Sequence, residues 1–250
     1  MIVTAYKTHA VGVGEDIYSL LDTYLPPLHE EDVVVITSKI ISLCQHRVVP
    51  ISPSIDKLDL IHQESEQYLD HVAQPRYGFV PTIVNSMIIA NAGIDESNGN
   101  GQYILWPERL FDHTAEIWQY FRQKFSLSRL GVIVTDSHTT MLRWGVTGIG
   151  LSWAGFSPLY RYIDEPDIFG RKFHSVNVST LDGLSAAAVQ EMGEGAEQTP
   201  LAVISSAHNV QFVDHARTAN EIDSLRISLA DDLYAPLLTS VSWKKGGKAV

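Results

Sequence analysis

The chain has 250 residues, of which 45% are hydrophobic and 19% are charged, a composition typical of ordinary globular proteins. Its formal charge of −11 argues against a general nucleic-acid-binding protein, which needs a basic patch to displace counterions. No apolar run reaches membrane-spanning length, and the first eleven residues lack the apolar core of a signal peptide. Cys44 is the only cysteine, so it is expected to be a small buried residue of a cytoplasmic protein without intrachain disulfides.

The first half of the chain predicts strands and helices in irregular alternation. Apolar runs at residues 2–6 and 32–37 predict strands, and helical spacing predicts a helix between them that Pro26-Pro27 ends. A second amphipathic helix is predicted from apolar residues between 55 and 72. Residues 79–90 predict two paired strands around Asn85-Ser86, followed by a glycine-rich loop at 95–101 and an apolar stretch at 103–105.

The second half predicts helices at 114–125, 184–192 and 221–235, with buried strands at 130–135 and 201–204 and a further strand at 172–178. Glycines punctuate residues 145–155, which indicates close backbone packing or a bent strand. The lysine- and glycine-rich tail at 244–248 is expected to be mobile. The irregular order of elements predicts an α+β fold, with residues 1–250 as one domain that carries a C-terminal helical segment at about 219–238.

Three acidic segments lie in small-residue turns beside apolar runs: Asn91–Asn98, Thr135–Ser137 and Met192–Gly195. Turns of this kind leave backbone N–H groups available and let a bulky anion approach closely. Carboxylates without basic neighbours in the sequence suit hard cations held by oxygen ligands. Together the three segments predict a site for metal and phosphate.

Each carboxylate also has a simpler interpretation. Asp95 could be a loop residue of a hairpin, because Asn, Asp and Gly favour such turns. Glu194 could merely follow the C-terminus of a helix, although a carboxylate there opposes the helix dipole. Asp136 directly follows a buried apolar run, where open sheets commonly place ligand-binding groups, so a functional role is favoured for it.

Several other residues could contact an anion. Arg143 could neutralise phosphate or pair with a carboxylate. Lys39, with Ser38, follows a buried strand and could hold a phosphate as a point charge or be a solvated strand end. Gly12 and Gly14 precede a helix N-terminus, which is a common anion site, although Glu15 and Asp16 already use the helix dipole there.

The common fingerprints of other functions do not occur in the sequence. It contains neither a Walker A motif nor a complete G-x-G-x-x-G after a strand. The ten histidines form no H-E-x-x-H or similar pair, which argues against a zinc site. Without a G-x-S-x-G elbow, nothing supports a serine hydrolase.

Taken in order, these segments resemble the γ-glutamyl ligase family that adds glutamate to the deazaflavin coenzyme F-420. The resemblance covers about residues 30–205, and the ordered set is more specific than any single piece. The matching segments are Asn91–Asp95 with Asn98, Gly131–Asp136, Arg143 with Gly145-Val146, Asp167–Arg171, and Asp182 with Met192–Gly195.

The resemblance implies an unusual α+β fold, a homodimer, two divalent cations (Mg²⁺ or Mn²⁺) and GTP as phosphoryl donor, with ATP as the alternative. The implied metal ligands are Asp95, Asp136, Ser137 and Glu194. The implied nucleotide contacts are Ser38, Lys39, Asn98, Met192, Gly193 and Gly195, to which the anion-site argument adds Gly12 and Gly14.

The implied reaction is NTP-dependent ligation of L-glutamate to a carboxylate through an acyl phosphate. Two anions must meet in the first step, which is why carboxylate-bound cations are expected. Asp136 and Arg143 are the candidate catalytic residues, with Arg143 placed to stabilise an oxyanion. A non-catalytic ligand-binding homologue is the alternative of another class.

The sequence departs from the family pattern at His138-Thr139-Thr140, where the family often has Asn-Gly-Arg, and at Leu43, where a lysine is common. These departures resemble a bacterial subgroup thought to act in folate metabolism. We therefore expect a pterin acceptor, dihydropteroate or folate, with the F-420 precursor as the alternative. At least one of Trp106, Trp144 and Trp153 is expected to stack on a flat heterocycle.

Overall fold

A computed structural model describes residues 1–69 and 78–248 and divides the chain into two compact units. The first unit contains Met1–Val11, Glu15–Ile40 and Arg109–Leu225. The second contains Gly12–Gly14, Ile41–Glu108 and the described part of Arg226–Val250. Helices and several separate sheets occur together, so the predicted α+β class is confirmed. The assignment of the whole chain to one domain stays a prediction.

A five-stranded sheet forms the centre of the first unit, in the order β1-β12-β2-β8-β9. Its middle pair, β2 and β8, is parallel, and the other pairs are antiparallel. Val33–Ile36 of β2 and Leu130–Val134 of β8 are continuous apolar runs that are fully buried, which is the pattern of a strand covered on both faces. The strands are β1 (Ile2–Tyr6), β2 (Asp32–Thr37), β8 (Leu130–Thr139), β9 (Val146–Ala154) and β12 (Leu201–Ser205).

Helix α5 packs against β9, and glycine makes the close approach possible. A Cβ atom at Gly150 would lie 2.3 Å from Leu181 Cγ, and one at Gly148 would lie 2.4 Å from the Ser185 carbonyl oxygen. The expected close backbone packing is therefore confirmed at these two glycines. The remaining elements of this unit are α1 (Ile17–Tyr24), α4 (Leu110–Phe125), α5 (Thr180–Met192), α6 (Ala219–Leu225), β10 (Leu159–Arg161) and β11 (Asn177–Ser179).

The second unit holds a four-stranded sheet in the order β13-β4-β5-β6 and a two-stranded sheet of β3 and β7. Helix α2 (Ser38–Cys44) begins in the first unit and ends in the second. The strands are β3 (Val48–Pro50), β4 (Gln67–Tyr68), β5 (Pro81–Val84), β6 (Met87–Ala90), β7 (Gln102–Ile104) and β13 (Lys244–Lys245). The helices are α3 (Lys57–Glu64) and α7 (Ala235–Leu238), with a 3-10 turn at Asn91–Gly93.

Several expectations about the elements are wrong in detail. The strand predicted at 172–178 is replaced by the short β11 at Asn177–Ser179. The helix predicted up to residue 72 ends at Glu64, Tyr68 belongs to β4, and residue 72 lies outside the described residues. The helix predicted at 221–235 is interrupted after Leu225, because Ser228 forms a local turn in which its carbonyl accepts from the amides of Asp231 and Asp232. The tail expected to be mobile forms β13, which pairs with β4.

The helices in the described part of the chain include none that is long and apolar enough to span a membrane.

Candidate active site

The best-defined part of the candidate site is a hydrogen-bonded pair, Ser38 and Asp136. Strands β2 and β8 run in parallel and pair as far as Thr37 and Thr135, so Ser38 and Asp136 each follow the last paired residue. Ser38 Oγ donates a hydrogen bond of 2.7 Å to Asp136 Oδ2. The backbone amide of Ser137 donates to Asp136 Oδ1 over 2.8 Å. A hydroxyl at the start of α2 and a backbone amide of β8 therefore hold the two carboxylate oxygens of Asp136 in place.

A β-bulge lies next to this pair. Thr135 pairs with Gly150 and Val134 with Ser152, so Leu151 is an extra residue on β9. Bulges bend a strand and change the direction of its side chains, and they are common beside active sites. Beyond the bulge the pairing resumes from Thr135 to Thr139, so β8 ends at Thr139 and not at residue 135 as predicted.

Lys39 follows Ser38 in the first turn of α2, and Arg143 lies in the turn of the β8–β9 hairpin. The Arg143 amide donates to the Thr140 carbonyl over 3.2 Å, and the residue is exposed. The hairpin turn thus presents a cation beyond the strand that carries Asp136 and Ser137.

The segment with Asp95 belongs to the second unit and is tightly held. Asn91 Oδ1 accepts from the Val80 amide over 2.8 Å, and the Ala92 amide donates to Thr82 Oγ1 over 2.9 Å. These bonds keep both Asn91 and Ala92 at positive φ, which is uncommon outside glycine. Asp95 then pairs with Ile104 through two backbone hydrogen bonds of 2.8 and 3.0 Å.

The Asp95 carboxylate accepts from the amide and the hydroxyl of Ser97, over 2.7 and 2.8 Å. This is the local turn expected from the simpler interpretation of Asp95, and it also fixes the carboxylate in one direction. Asn98 follows at positive φ and is exposed.

The turn after α5 carries Glu194, which is exposed at the C-terminal end of the helix. The Gly193 amide closes the helix by donating to the Val189 carbonyl over 2.9 Å. Met192 is buried in the core, so its side chain has a packing role. Sequence reasoning missed Glu197, whose carboxylate accepts from the Gly195 amide over 2.7 Å. A glutamate that accepts from an amide two residues earlier matches no standard turn motif, so the sequence carries no signal for this contact.

The two N-terminal glycines lie in the second unit. The Gly14 amide donates to the Leu43 carbonyl over 2.9 Å, and a Cβ atom at Gly14 would lie 2.4 Å from the ring of His46. The positive φ of Gly14 (82°) and its close approach to His46 together explain why residue 14 is a glycine. A nucleotide contact at Gly12 or Gly14 stays a prediction.

A second feature that sequence reasoning missed is a network around His9 in the first unit. His9 Nδ1 lies 2.6 Å from the Tyr24 hydroxyl, and His9 Nε2 lies 2.8 Å from Glu15 Oε2. Asp16 caps α1 by accepting from the Ser19 amide over 2.8 Å, so it does use the helix N-terminus as expected.

The three tryptophans named for ring stacking have different surroundings. Trp106 and Trp153 are only 2% and 1% exposed and belong to the interior, whereas Trp144 is 83% exposed in the β8–β9 hairpin turn. Of the three, only Trp144 presents its ring at the surface.

The side chains of Ser38, Asp136 and Ser137 offer carboxylate and hydroxyl oxygens as possible ligands, which suits Mg²⁺ or Mn²⁺. In residues 1–69 and 78–248, no group of three or more His, Cys, Asp or Glu side chains is placed to hold a metal ion. Mg²⁺ needs no such group, because proteins commonly bind it through one or two carboxylates together with substrate phosphates. The residues present therefore fit a cation that arrives with a nucleotide.

The structure brings together three of the predicted site residues, Ser38, Asp136 and Ser137. The first unit also contains Lys39, Arg143, Gly193, Glu194 and Gly195. Asp95, Asn98, Gly12 and Gly14 belong to the second unit.

Comparison with known proteins places all the candidate carboxylates in one matched region. The model of the family described as F420-0:Gamma-glutamyl ligase matches residues 6–206. A relative from Methanothermobacter thermautotrophicus, named coenzyme F420:L-glutamate ligase, is 30% identical over 78% of this chain and 84% of its own length. Proteins of the same name from Methanococcus maripaludis and Methanosarcina mazei are 28% and 29% identical, over 83% and 81% of this chain and 91% and 84% of their own lengths.

The family match spans most of the chain, and the relatives match over most of their own lengths. The chain therefore belongs to the F420-0:gamma-glutamyl ligase family and is an acid–amino-acid ligase, an enzyme that forms C–N bonds.

Proposed function

We propose that this ligase uses a nucleoside triphosphate to join L-glutamate to the carboxylate of a deazaflavin precursor of coenzyme F-420. The observation that carries the proposal is the family match over residues 6–206, which contains Ser38, Asp95, Asp136 and Glu194. The relatives described above carry the F420:L-glutamate ligase name, so they favour the deazaflavin acceptor. None of them supports the pterin acceptor that we expected from the sequence.

The proposed reaction has two steps. The acceptor carboxylate attacks the γ-phosphorus and displaces the nucleoside diphosphate, which gives an acyl phosphate. The glutamate amine then attacks the acyl carbon, a C–N bond forms, and inorganic phosphate leaves with the C–O bonding electrons. The amine loses a proton; an α-amine with a pKa of about 8 needs no strong dedicated base.

Divalent cations, when bound, supply positive charge that lets the two anions of the first step approach each other. Asp95, Asp136, Ser137 and Glu194 are the residues proposed to hold them. Ser38 keeps Asp136 oriented through its hydrogen bond of 2.7 Å. A fixed carboxylate needs no reorganisation when charge moves in the reaction, and this supports a direct role for Asp136.

Cationic and backbone groups are proposed to bind the nucleotide and the developing oxyanion. Lys39 would contact phosphate as a point charge, and Arg143 would stabilise the oxyanion formed when the amine attacks. Asn98, Met192, Gly193 and Gly195 are proposed to contact the nucleotide, together with Gly12 and Gly14. GTP is the proposed donor and ATP the alternative.

We further propose a cytoplasmic homodimer. Large apolar side chains are exposed at the β8–β9 hairpin turn and in a second turn, where Asp167 Oδ1 accepts from two backbone amides over 2.8 and 2.9 Å. Exposed apolar groups of this size commonly mark protein–protein contacts. They are Met141, Leu142, Trp144, Ile168 and Phe169. A dimer in sedimentation that Leu142→Glu converts to a monomer supports this interface, and a monomeric wild type contradicts it.

The acceptor is tested directly with purified protein, Mn²⁺, glutamate and either GTP or ATP. The deazaflavin precursor and dihydropteroate are supplied in separate reactions, and products are followed by mass. We expect the mass of one added glutamyl group on the deazaflavin precursor. Glutamylation of dihydropteroate alone would overturn the proposed acceptor and would agree with the departure at His138-Thr139-Thr140, which carries no arginine.

A further inference from the structure

The last described residues of the chain form an ordered segment of the second unit that packs against β4 and the end of α3, named here the C-terminal strap (residues 244–248). Lys244 and Lys245 pair with Tyr68 and Gln67 of β4. The next three amides, of Gly246, Gly247 and Lys248, donate to carbonyls of residues 66, 62 and 65 over 2.8, 2.9 and 3.1 Å. The C-terminal strap lies outside residues 6–206, so the family match does not account for it.

Glycine is required for this docking. A Cβ atom at Gly246 would lie 1.9 Å from the Ser65 carbonyl oxygen, and one at Gly247 would lie 2.9 Å from the Gln63 carbonyl oxygen. The accepting carbonyl of His62 is one of the last in α3, and such groups have no partner within the helix. The C-terminal strap therefore fits closely against this region and supplies a hydrogen-bond donor to a carbonyl in the last turn of α3.

The C-terminal strap ends against Trp106. Lys248 Nζ lies 5.6 Å from the centre of the Trp106 ring, within cation–π range. Burial lowers the pKa of Lys248, with the charge of Glu64 acting in the opposite direction. Arg47 holds the same tryptophan, because its Nε donates to the Trp106 carbonyl over 3.1 Å.

Trp106 also contacts the segment that carries Asp95. A Cβ atom at Gly93 would lie 2.6 Å from Trp106 Cε3, so the ring packs directly on the backbone of the 3-10 turn. Asp95 follows Gly93 by two residues, and its pairing partner Ile104 precedes Trp106 by two residues. A shift of the Trp106 ring would therefore disturb both sides of the Asp95–Ile104 pairing.

We propose that the C-terminal strap is a positioning element for Asp95, which it fixes by holding Trp106 against Gly93. Lys248 and Gly246 are its positioning residues, and neither is proposed to touch substrate. The catalytic part of this inference rests on the proposed role of Asp95 in holding a cation. The mechanical part, the hold on the Asp95–Ile104 pairing, is independent of that role.

The test combines hydrogen exchange of the metal-free, nucleotide-free protein with kinetics of the full-length enzyme. Gly246→Ala removes the fit to the Ser65 carbonyl, and Lys248→Met removes the cation while keeping length. Lys248→Arg keeps a cation for the ring and should restore wild-type behaviour. Gly183→Ala is the matched control, because a Cβ atom at exposed Gly183 would meet nothing within 4 Å.

We expect the amides of Asp95 and Ile104 to exchange about tenfold faster in Gly246→Ala and Lys248→Met. The Mn²⁺ concentration for half-maximal turnover should rise in the same variants and should stay at the wild-type value in Gly183→Ala. If amides exchange rapidly throughout the Gly246→Ala protein, the whole fold has opened in that variant. The exchange rates of Asp95 and Ile104 in Lys248→Met then test the proposal instead.

The proposal is overturned if the amides of residues 246 and 247 exchange rapidly in Gly246→Ala while those of Asp95 and Ile104 keep their wild-type rates. If the Asp95 amide exchanges faster but the Mn²⁺ concentration for half-maximal turnover is unchanged, the catalytic part of the proposal is overturned. A wild-type protein that ligates no glutamate would contradict the proposed function and leave the exchange result intact, so the two failures are distinguishable.

Discussion

Replacing Asp136 with asparagine is expected to reduce stability and to abolish turnover, because Asp136 uses both carboxylate oxygens as acceptors. Ser38 Oγ donates to one over 2.7 Å, and the Ser137 amide donates to the other over 2.8 Å. Asparagine has a single accepting oxygen. Asparagine keeps both contacts only when its oxygen faces the Ser137 amide and its NH₂ group faces Ser38. The Ser38 hydroxyl must then accept a hydrogen bond from that NH₂ group, and its own proton is left without an acceptor.

The magnitude follows from these two bonds. Hydrogen bonds to a charged group contribute about 1.5–3 kcal/mol and neutral ones about 0.5–1.5 kcal/mol. Ser38 is buried, but Asp136 is partly exposed, so we expect Asp136→Asn to lower the free energy of unfolding by about 1–2 kcal/mol. In a chain of this size, that corresponds to a decrease in Tm of about 2–8 °C.

Turnover should fall by at least about 100-fold, since each tenfold corresponds to about 1.4 kcal/mol of barrier. The assay is urea unfolding together with nucleotide turnover at saturating Mn²⁺. Asp59→Asn, an exposed carboxylate in α3, is the matched control for loss of one charge. Wild-type turnover of Asp136→Asn would remove Asp136 from the active site, and unchanged stability would show that the two bonds contribute little.

Three further predictions concern the nucleotide, acid stability and packing. Lys39→Ala should raise the KM for nucleotide more than it lowers kcat, because a lost phosphate contact weakens ground and transition states alike; a fall in kcat alone would contradict this. The pKa of Glu30 is lowered from 4.5 because two backbone amides donate to its carboxylate, so its stabilisation is present above pH 4.5 and is lost as the pH falls through the lowered value. Glu30→Gln should therefore flatten the loss of unfolding free energy below pH 4.5, and an unchanged pH profile in urea unfolding would refute it. Gly148→Ala should lower the free energy of unfolding by about 1–3 kcal/mol, because the new methyl group would overlap the Ser185 carbonyl. Gly183→Ala should cause no such loss, so equal urea midpoints for the two variants would contradict the prediction.

The strands at the centre of the first unit could be predicted because their sequence pattern is local. Residues 33–36 and 130–134 are uninterrupted apolar runs, and each forms a buried strand. Ser38 and Asp136 were selected because they follow these runs. Their mutual hydrogen bond was not predictable, because it depends on the parallel pairing of two strands almost one hundred residues apart.

Features that depend on distant partners were missed. Lys244 and Lys245 have no apolar pattern, and they form a strand because their backbone pairs with the edge of β4 that β5 does not cover. Trp106 and Trp144 are the same residue type, yet one is buried against Gly93 and the other is exposed in a hairpin turn. The contact of His9 with Tyr24 likewise requires the folded chain.

The measurement that tests the central claim most directly follows oxygen from the acceptor into phosphate. The F-420 precursor is labelled with ¹⁸O in its carboxylate and incubated with the enzyme, GTP, Mn²⁺ and glutamate. An acyl phosphate places one carboxylate oxygen between carbon and phosphorus, and attack of the amine releases that oxygen with the phosphate. We predict one ¹⁸O atom in the inorganic phosphate for each glutamyl group added. Unlabelled phosphate alongside glutamylated product, or nucleotide turnover without glutamylation, would contradict the account.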